Sequence, residues 1–212
     1  MTVNDHVVRY QEHVSTKSYE ELVAAFEETV PDAGPGEPTR TLERVRDGEN
    51  TREAWEAAVA PLFGPSGFTR VFSLDTGQLI SWYGKPAKAK MYIYGNPIVA
   101  ASMLVHDIRV AGRVPLQILI YEAENGEVRL GYDLPSTIMS RFGNKELDAA
   151  ALELDTANNN LTNGSPRARS GATQGWSSPR RTAASLSRGT RIACSTAWLI
   201  RLTHCTRAPS QG

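Results

Sequence analysis

Residues 88–106 read KAKMYIYGNPIVAASMLVH, and the fold turns on them. Up to Tyr94 the pattern has a period of two, with Lys88 and Lys90 set against Met91 and Ile93. That period predicts a strand. Gly95-Asn96-Pro97 then breaks it. Asn is a favoured N-cap, and proline suits the first helical position because its missing N–H has no intrahelical partner to lose. The helix that follows, Pro97 to about His106, is apolar on nearly every side and is expected to be buried.

Upstream, His6 to Ser15 reads as a first strand. Ser18 and Glu21 stand at capping-box spacing, and Tyr19, Leu22, Val23, Phe26 and Val30 form one apolar stripe that Pro31 ends. Residues 32–50 have few large apolar side chains and read as a solvated loop. A short helix is expected from Thr51 to about Phe63, and Gly64-Pro65-Ser66-Gly67 breaks the chain again. Phe68 to Leu74 alternates as a strand. Asp75-Thr76-Gly77 reads as a turn and Gln78 to Tyr83 as a return strand.

Downstream, Val114 to Tyr121 is a mostly apolar run, consistent with a central strand. Asn125-Gly126 fits a tight hairpin turn, and Glu127 to Tyr132 is the returning strand. Asn144 can cap a last helix to about Ala157. Hairpins dominate this order. The expected fold class is therefore α+β, a mainly antiparallel sheet with helices packed on one face, in a single domain over residues 1–157.

Residues 158–212 differ in kind. From Leu161 to Gly212 there are eight Arg, fifteen Ser or Thr, and no Lys, Asp or Glu. The formal net charge of zero thus joins an acidic body to a basic tail: the first 160 residues carry 15 basic against all 23 acidic groups. The tail reads as disordered, or as the product of a frameshift. An acidic body repels phosphate, so no specific nucleic-acid partner is expected. Both cysteines, Cys194 and Cys205, lie in the tail, leaving the domain without a thiol nucleophile or a Cys-based zinc site. No signal-peptide pattern opens the chain, and no apolar run approaches a membrane span of roughly 20 residues. A cytoplasmic protein is expected.

Several short stretches together resemble a bacterial family, domain of unknown function 302. They are Gly64-Pro65-Ser66-Gly67-Phe68, Gly84-Lys85-Pro86-Ala87-Lys88-Ala89-Lys90, Gly95-Asn96-Pro97-Ile98-Val99-Ala100, Val105-His106-Asp107, Val114-Pro115-Leu116 and Tyr132-Asp133-Leu134-Pro135-Ser136. The match is centred on Gly67 to Leu154 and, with the Ser15–Glu20 entry to the first helix, extends over about residues 6–157. The resemblance implies a TATA-binding-protein-like α+β fold, often a homodimer, with no agreed activity. Many relatives show Cys-Asn-Pro and Pro-Cys-Asn where this chain has Gly95-Asn96-Pro97 and Pro115-Leu116-Gln117. A thiol-based role cannot transfer to this chain.

Three functional classes are compatible with these residues. The preferred one is a small-molecule-binding or accessory domain, its pocket near Lys85, Tyr94, Asn96, Asp107 and Gln117. The second is an enzyme using His106 for acid/base chemistry, because a histidine titrates near neutrality and Asp107 offers a carboxylate. The third is a dimeric interaction protein without a pocket. Each residue also has a structural explanation. His106 suits a helix C-terminus, where the dipole favours a cation. Asn96 suits an N-cap, and Lys85, Lys88 and Lys90 suit a solvated edge strand. Trp82, Tyr83, Tyr92, Tyr94 and Tyr121 suit core packing better than a ligand pocket. No carboxylate or histidine cluster has metal-ligand spacing, and no nucleotide fingerprint is present, so neither metal nor cofactor is expected.

Overall fold

A computed structural model describes residues 5–162. Five strands form one antiparallel sheet in the order β1-β5-β4-β3-β2: β1 (Tyr10–Ser15), β2 (Thr69–Asp75), β3 (Ala89–Gly95), β4 (Leu116–Glu122) and β5 (Val128–Asp133). Seven α-helices accompany it among the described residues: α1 (Tyr19–Thr29), α2 (Glu37–Asp47), α3 (Arg52–Val59), α4 (Thr76–Ser81), α5 (Pro97–Leu104), α6 (Pro135–Met139) and α7 (Lys145–Thr162).

Strand parity decides which side chains meet the helices. Tyr92 and Tyr94 of β3, Leu116, Ile118 and Ile120 of β4, and Leu130 and Tyr132 of β5 point to one face and are buried. There they pack against Phe26 of α1, Val99 and Met103 of α5, and Leu147, Ala151 and Leu154 of α7. Burying each of the Val, Leu, Ile, Phe and Met side chains among these contributes about 1.5–3 kcal/mol. The α+β class and the one-sided helix layer follow the alternation.

Three expectations fail locally. Residues 78–83 are not a strand. Asp75 accepts from the Gln78 amide at 2.7 Å and caps α4 in place of a hairpin turn. Gly77 permits this helix to fold back, since a Cβ there would run into the Ala87 carbonyl. With α4 out of the way, β3 pairs directly with β2. Second, the expected loop 32–50 contains α2. Its start carries Pro38 in the first turn, and Glu37 bonds the Arg40 guanidinium at 2.8 Å and the Thr41 hydroxyl at 3.1 Å. Third, β3 is an inner strand, so Lys90 on it and Lys88 just before it do not sit on a sheet edge. Lys88 pairs with Glu20 and Glu122, and Lys90 with Glu27.

The last helix also runs past its expected end at Ala157, to Thr162, and Asn158 is buried. Residues 158–162 therefore belong to the fold. The remaining tail expectation concerns residues 163–212, which lie outside the described residues. Among the described residues no helix is long and apolar enough to cross a membrane.

Candidate functional site

The end of β3 and the start of α5 build a cavity. Asn96 Oδ1 accepts from the amides of Ile98 at 2.9 Å and Val99 at 3.2 Å, the N-cap its position promised. Its Nδ2 donates to the Gly67 carbonyl at 2.9 Å, so the same side chain ties the entry to β2 to the helix start. Pairing of Gly95 with Thr69, and of Tyr94 with Leu116, brings three chain segments together at this end of the sheet. Between them and α5 lies a cavity of about 270 Å³.

Its walls are almost wholly apolar, including Phe68, Val71, Pro97, Met103, Leu104 and Leu116. The two polar side chains on the wall are already committed. Thr69 Oγ1 donates to the Pro31 carbonyl at 3.1 Å, and Asn96 is spent on the cap and on Gly67. A guest would be held by contact and dehydration, not by directed hydrogen bonds. An apolar cavity of about 150 Å³ already accepts benzene, so this one is large enough for a small ring or a short chain.

Of the six residues proposed from sequence, only Asn96 lines this cavity. Tyr94 is fully buried, set edge-on to Phe26 and Phe68, with its hydroxyl donating to Asn158 Oδ1 at 3.1 Å. Burial pushes that hydroxyl's pKa up. Gln117 is exposed on the opposite face of the sheet, between buried Leu116 and Ile118. His106 is exposed in the turn after α5. Asp107 does not orient it. The carboxylate accepts from the Arg109 amide at 2.9 Å and from its guanidinium at 2.6 Å, which holds its pKa below the usual range. Lys85 is exposed in the turn after α4. Among the described residues no group of three or more His, Cys, Asp or Glu is placed to hold a metal ion.

A second constellation, not evident from residue spacing, lies at β1. His13 lies on the helix side of β1, its Nε2 2.8 Å from Gln11 Nε2. Gln11 Nε2 and the Tyr132 hydroxyl both donate to Asn159 Oδ1, at 3.1 and 3.0 Å. The His13 and Tyr132 rings stack at 5.9 Å. Burial lowers the His13 pKa from its ordinary 6.5. The available signal was parity: Gln11, His13 and Ser15 share one face of a six-residue strand.

The family model described as "Domain of unknown function DUF302" matches residues 47–163, more than half of the 212-residue chain. The chain belongs to the DUF302 family. Its fold is similar to the crystal structure of an uncharacterized conserved DUF302 protein from Bacillus stearothermophilus. The identity is 13% and the TM-score 0.51, over 73% of this chain and 95% of that one. No curated protein matches the chain. The family match leaves out β1 and α1, which the structure nevertheless builds into the same sheet and core. Positions 95 and 116, where the resemblance sets cysteines in many DUF302 relatives, both line the apolar cavity here. A Cβ at Gly95 would lie 3.3 Å from Pro115 Cβ. In this member glycine and leucine stand at those places, and the site is apolar.

Proposed function

We propose that this DUF302 protein binds a small, uncharged apolar molecule in the cavity beside α5. The observation that carries the reading is the combination of about 270 Å³ of space with walls whose polar side chains are already satisfied. Most small-molecule sites share this character, an apolar concavity with few polar groups. In this reading the protein serves as a binding or accessory domain in the bacterial cytoplasm, a location that cell fractionation would check. Titration with 1-aminoanthracene, a neutral fluorophore, tests the site. Its emission is expected to rise and saturate with the native chain, and to rise less and at higher dye concentration with Ala100→Leu, whose larger side chain takes up part of the cavity. Equal enhancement by both proteins would refute the reading.

A homodimer is the second reading, and the bare face of the sheet favours it. Phe72 sits opposite Ile93, and Leu74 opposite Met91, which is in turn opposite Leu119. Phe72 is 48% and Leu74 39% exposed, on the side the helices do not cover. Contiguous apolar surface of this kind marks an interaction site. Face-to-face pairing of two copies would set one apolar half-sheet against the other. Native mass spectrometry is expected to show a dimer that Phe72→Asp converts to monomer. A monomeric native chain at tens of micromolar would end the idea. The acid/base reading through His106 has less behind it, because its neighbouring carboxylate is committed to Arg109. A His106→Ala variant is expected to bind the fluorophore unchanged.

A further inference from the structure

We propose that the cleft between β1, α1 and the C-terminal end of α7 is a second binding site, and that it takes a small monocarboxylate with an apolar body. The cleft encloses about 520 Å³ and shares no lining residue with the cavity beside α5. Its volume lies within the range of small-molecule sites, roughly 300–1,000 Å³.

The two halves of the cleft differ in chemistry. Leu22, Ala25 and Phe26 of α1, Leu130 of β5 and Leu161 of α7 supply an apolar floor. His13, Ser15, Thr16, Lys17 and Thr162 supply polar groups along β1, its exit and the helix end. An amphipathic guest matches that division.

The charge of its polar end follows from the donors. Lys17 forms no ion pair among the described residues, unlike Lys88 and Lys90. Neither residues 1–4 nor 163–212 contain an acidic side chain to supply one. The Ser15 hydroxyl accepts from the Lys17 amide at 3.0 Å, a local turn that holds Lys17 at the cleft. Glu12 also borders the cleft, but β1 parity puts its carboxylate on the other face of the sheet. There it takes hydrogen bonds from Tyr121 and Arg129 and does not repel an anion.

The imidazole adds a neutral donor. Nε2 accepts from the Gln11 amide, so Nδ1 carries the proton. Among the described residues nothing accepts from Nδ1. Burial favours the uncharged ring, consistent with this tautomer. One ammonium and one neutral N–H suit a single negative charge. A dianionic phosphate would call for a denser set of cations, typically bidentate arginines.

Calorimetric titration of the full chain with sodium octanoate tests the assignment, with 1-octanol as the uncharged control. Saturable octanoate binding is expected, weakened at least tenfold by Lys17→Gln and by His13→Gln. Octanol is expected to respond to neither. Lys17 is exposed, so its variant folds even where the His13 variant does not. Ala100→Leu is expected to leave octanoate affinity intact, because that residue belongs to the other cavity. Absence of octanoate binding overturns the proposal. So does binding that survives Lys17→Gln unchanged, or binding that Ala100→Leu abolishes.

Discussion

At the scale of single residues, local chemistry was readable and long-range company was not. Asn96 was legible because an N-cap bonds its own next turn. Its second bond, to the Gly67 carbonyl, depends on a segment 29 positions away. Asn96→Ala loses both and is expected to cost about 1–2 kcal/mol in urea denaturation. Asn96→Asp keeps the cap and should cost less. Gln117 shows the opposite case. Its neighbours Leu116, Ile118 and Ile120 point to the core, so parity sends it to the far face. The run from 114 to 121, apolar but for Gln117 itself, hid that alternation, because Leu119 and Tyr121 put apolar side chains on the same face as Gln117. His106 and Asp107 failed as a pair because adjacent residues diverge and Arg109 captures the carboxylate. Tyr94 is inside the core, and its value there can be measured. Tyr94→Phe leaves Asn158, only 1% exposed, without its hydroxyl partner, and a loss of about 1–3 kcal/mol is expected. Tyr94→Phe combined with Asn158→Leu should recover part of it. A double variant no more stable than the single one would show that the bond contributes little.

Elements were legible where an apolar period marks them. The stripe on α1 and the alternation of β3 are of that kind. Helix α2 is not legible because its order draws on Glu37 bonding the Arg40 guanidinium and the buried Thr41 hydroxyl, polar contacts that no apolar period records. Helix α4 was missed because Asp75-Thr76-Gly77 suits a turn as well as a cap. Only the approach of Gly77 to Ala87 separates the two. The docking of α1 on the sheet carries a pH signature. Burial of Glu27 disfavours its charge, but hydrogen bonds from Lys90 at 2.7 Å and Tyr92 at 3.0 Å, with the Arg70 charge, outweigh it. The folded carboxyl therefore titrates below its ordinary 4.5. Its stabilising contribution is complete above that value and is lost as pH falls through the folded pKa. Thermal melts between pH 3 and 7 are expected to show this loss in the native chain. In Glu27→Gln the acid limb should be shallower, and an identical limb would remove Glu27 from the account.

For the whole molecule, the sheet-and-helix plan was legible, but its outer limit was set too early. The acidic residues end before α7 does, so composition placed the boundary near 157 while Asn158, Asn159 and Leu161 still touch the core. A chain ending at Thr162 is expected to melt at the same temperature as the full chain, whereas one ending at Ala157 should melt several degrees lower. Equal melting of the two truncations would contradict the packing of the last turn. The strand order has a further consequence, for synthesis. β1 emerges first from the ribosome, yet its sheet neighbour is β5, whose pairing residues run from Val128 to Asp133. At about 5–20 residues per second, the opening strand waits roughly 6–25 s for that neighbour to be translated. Throughout this interval the backbone groups of Tyr10 to Ser15 lack the partners that β5 supplies in the folded sheet.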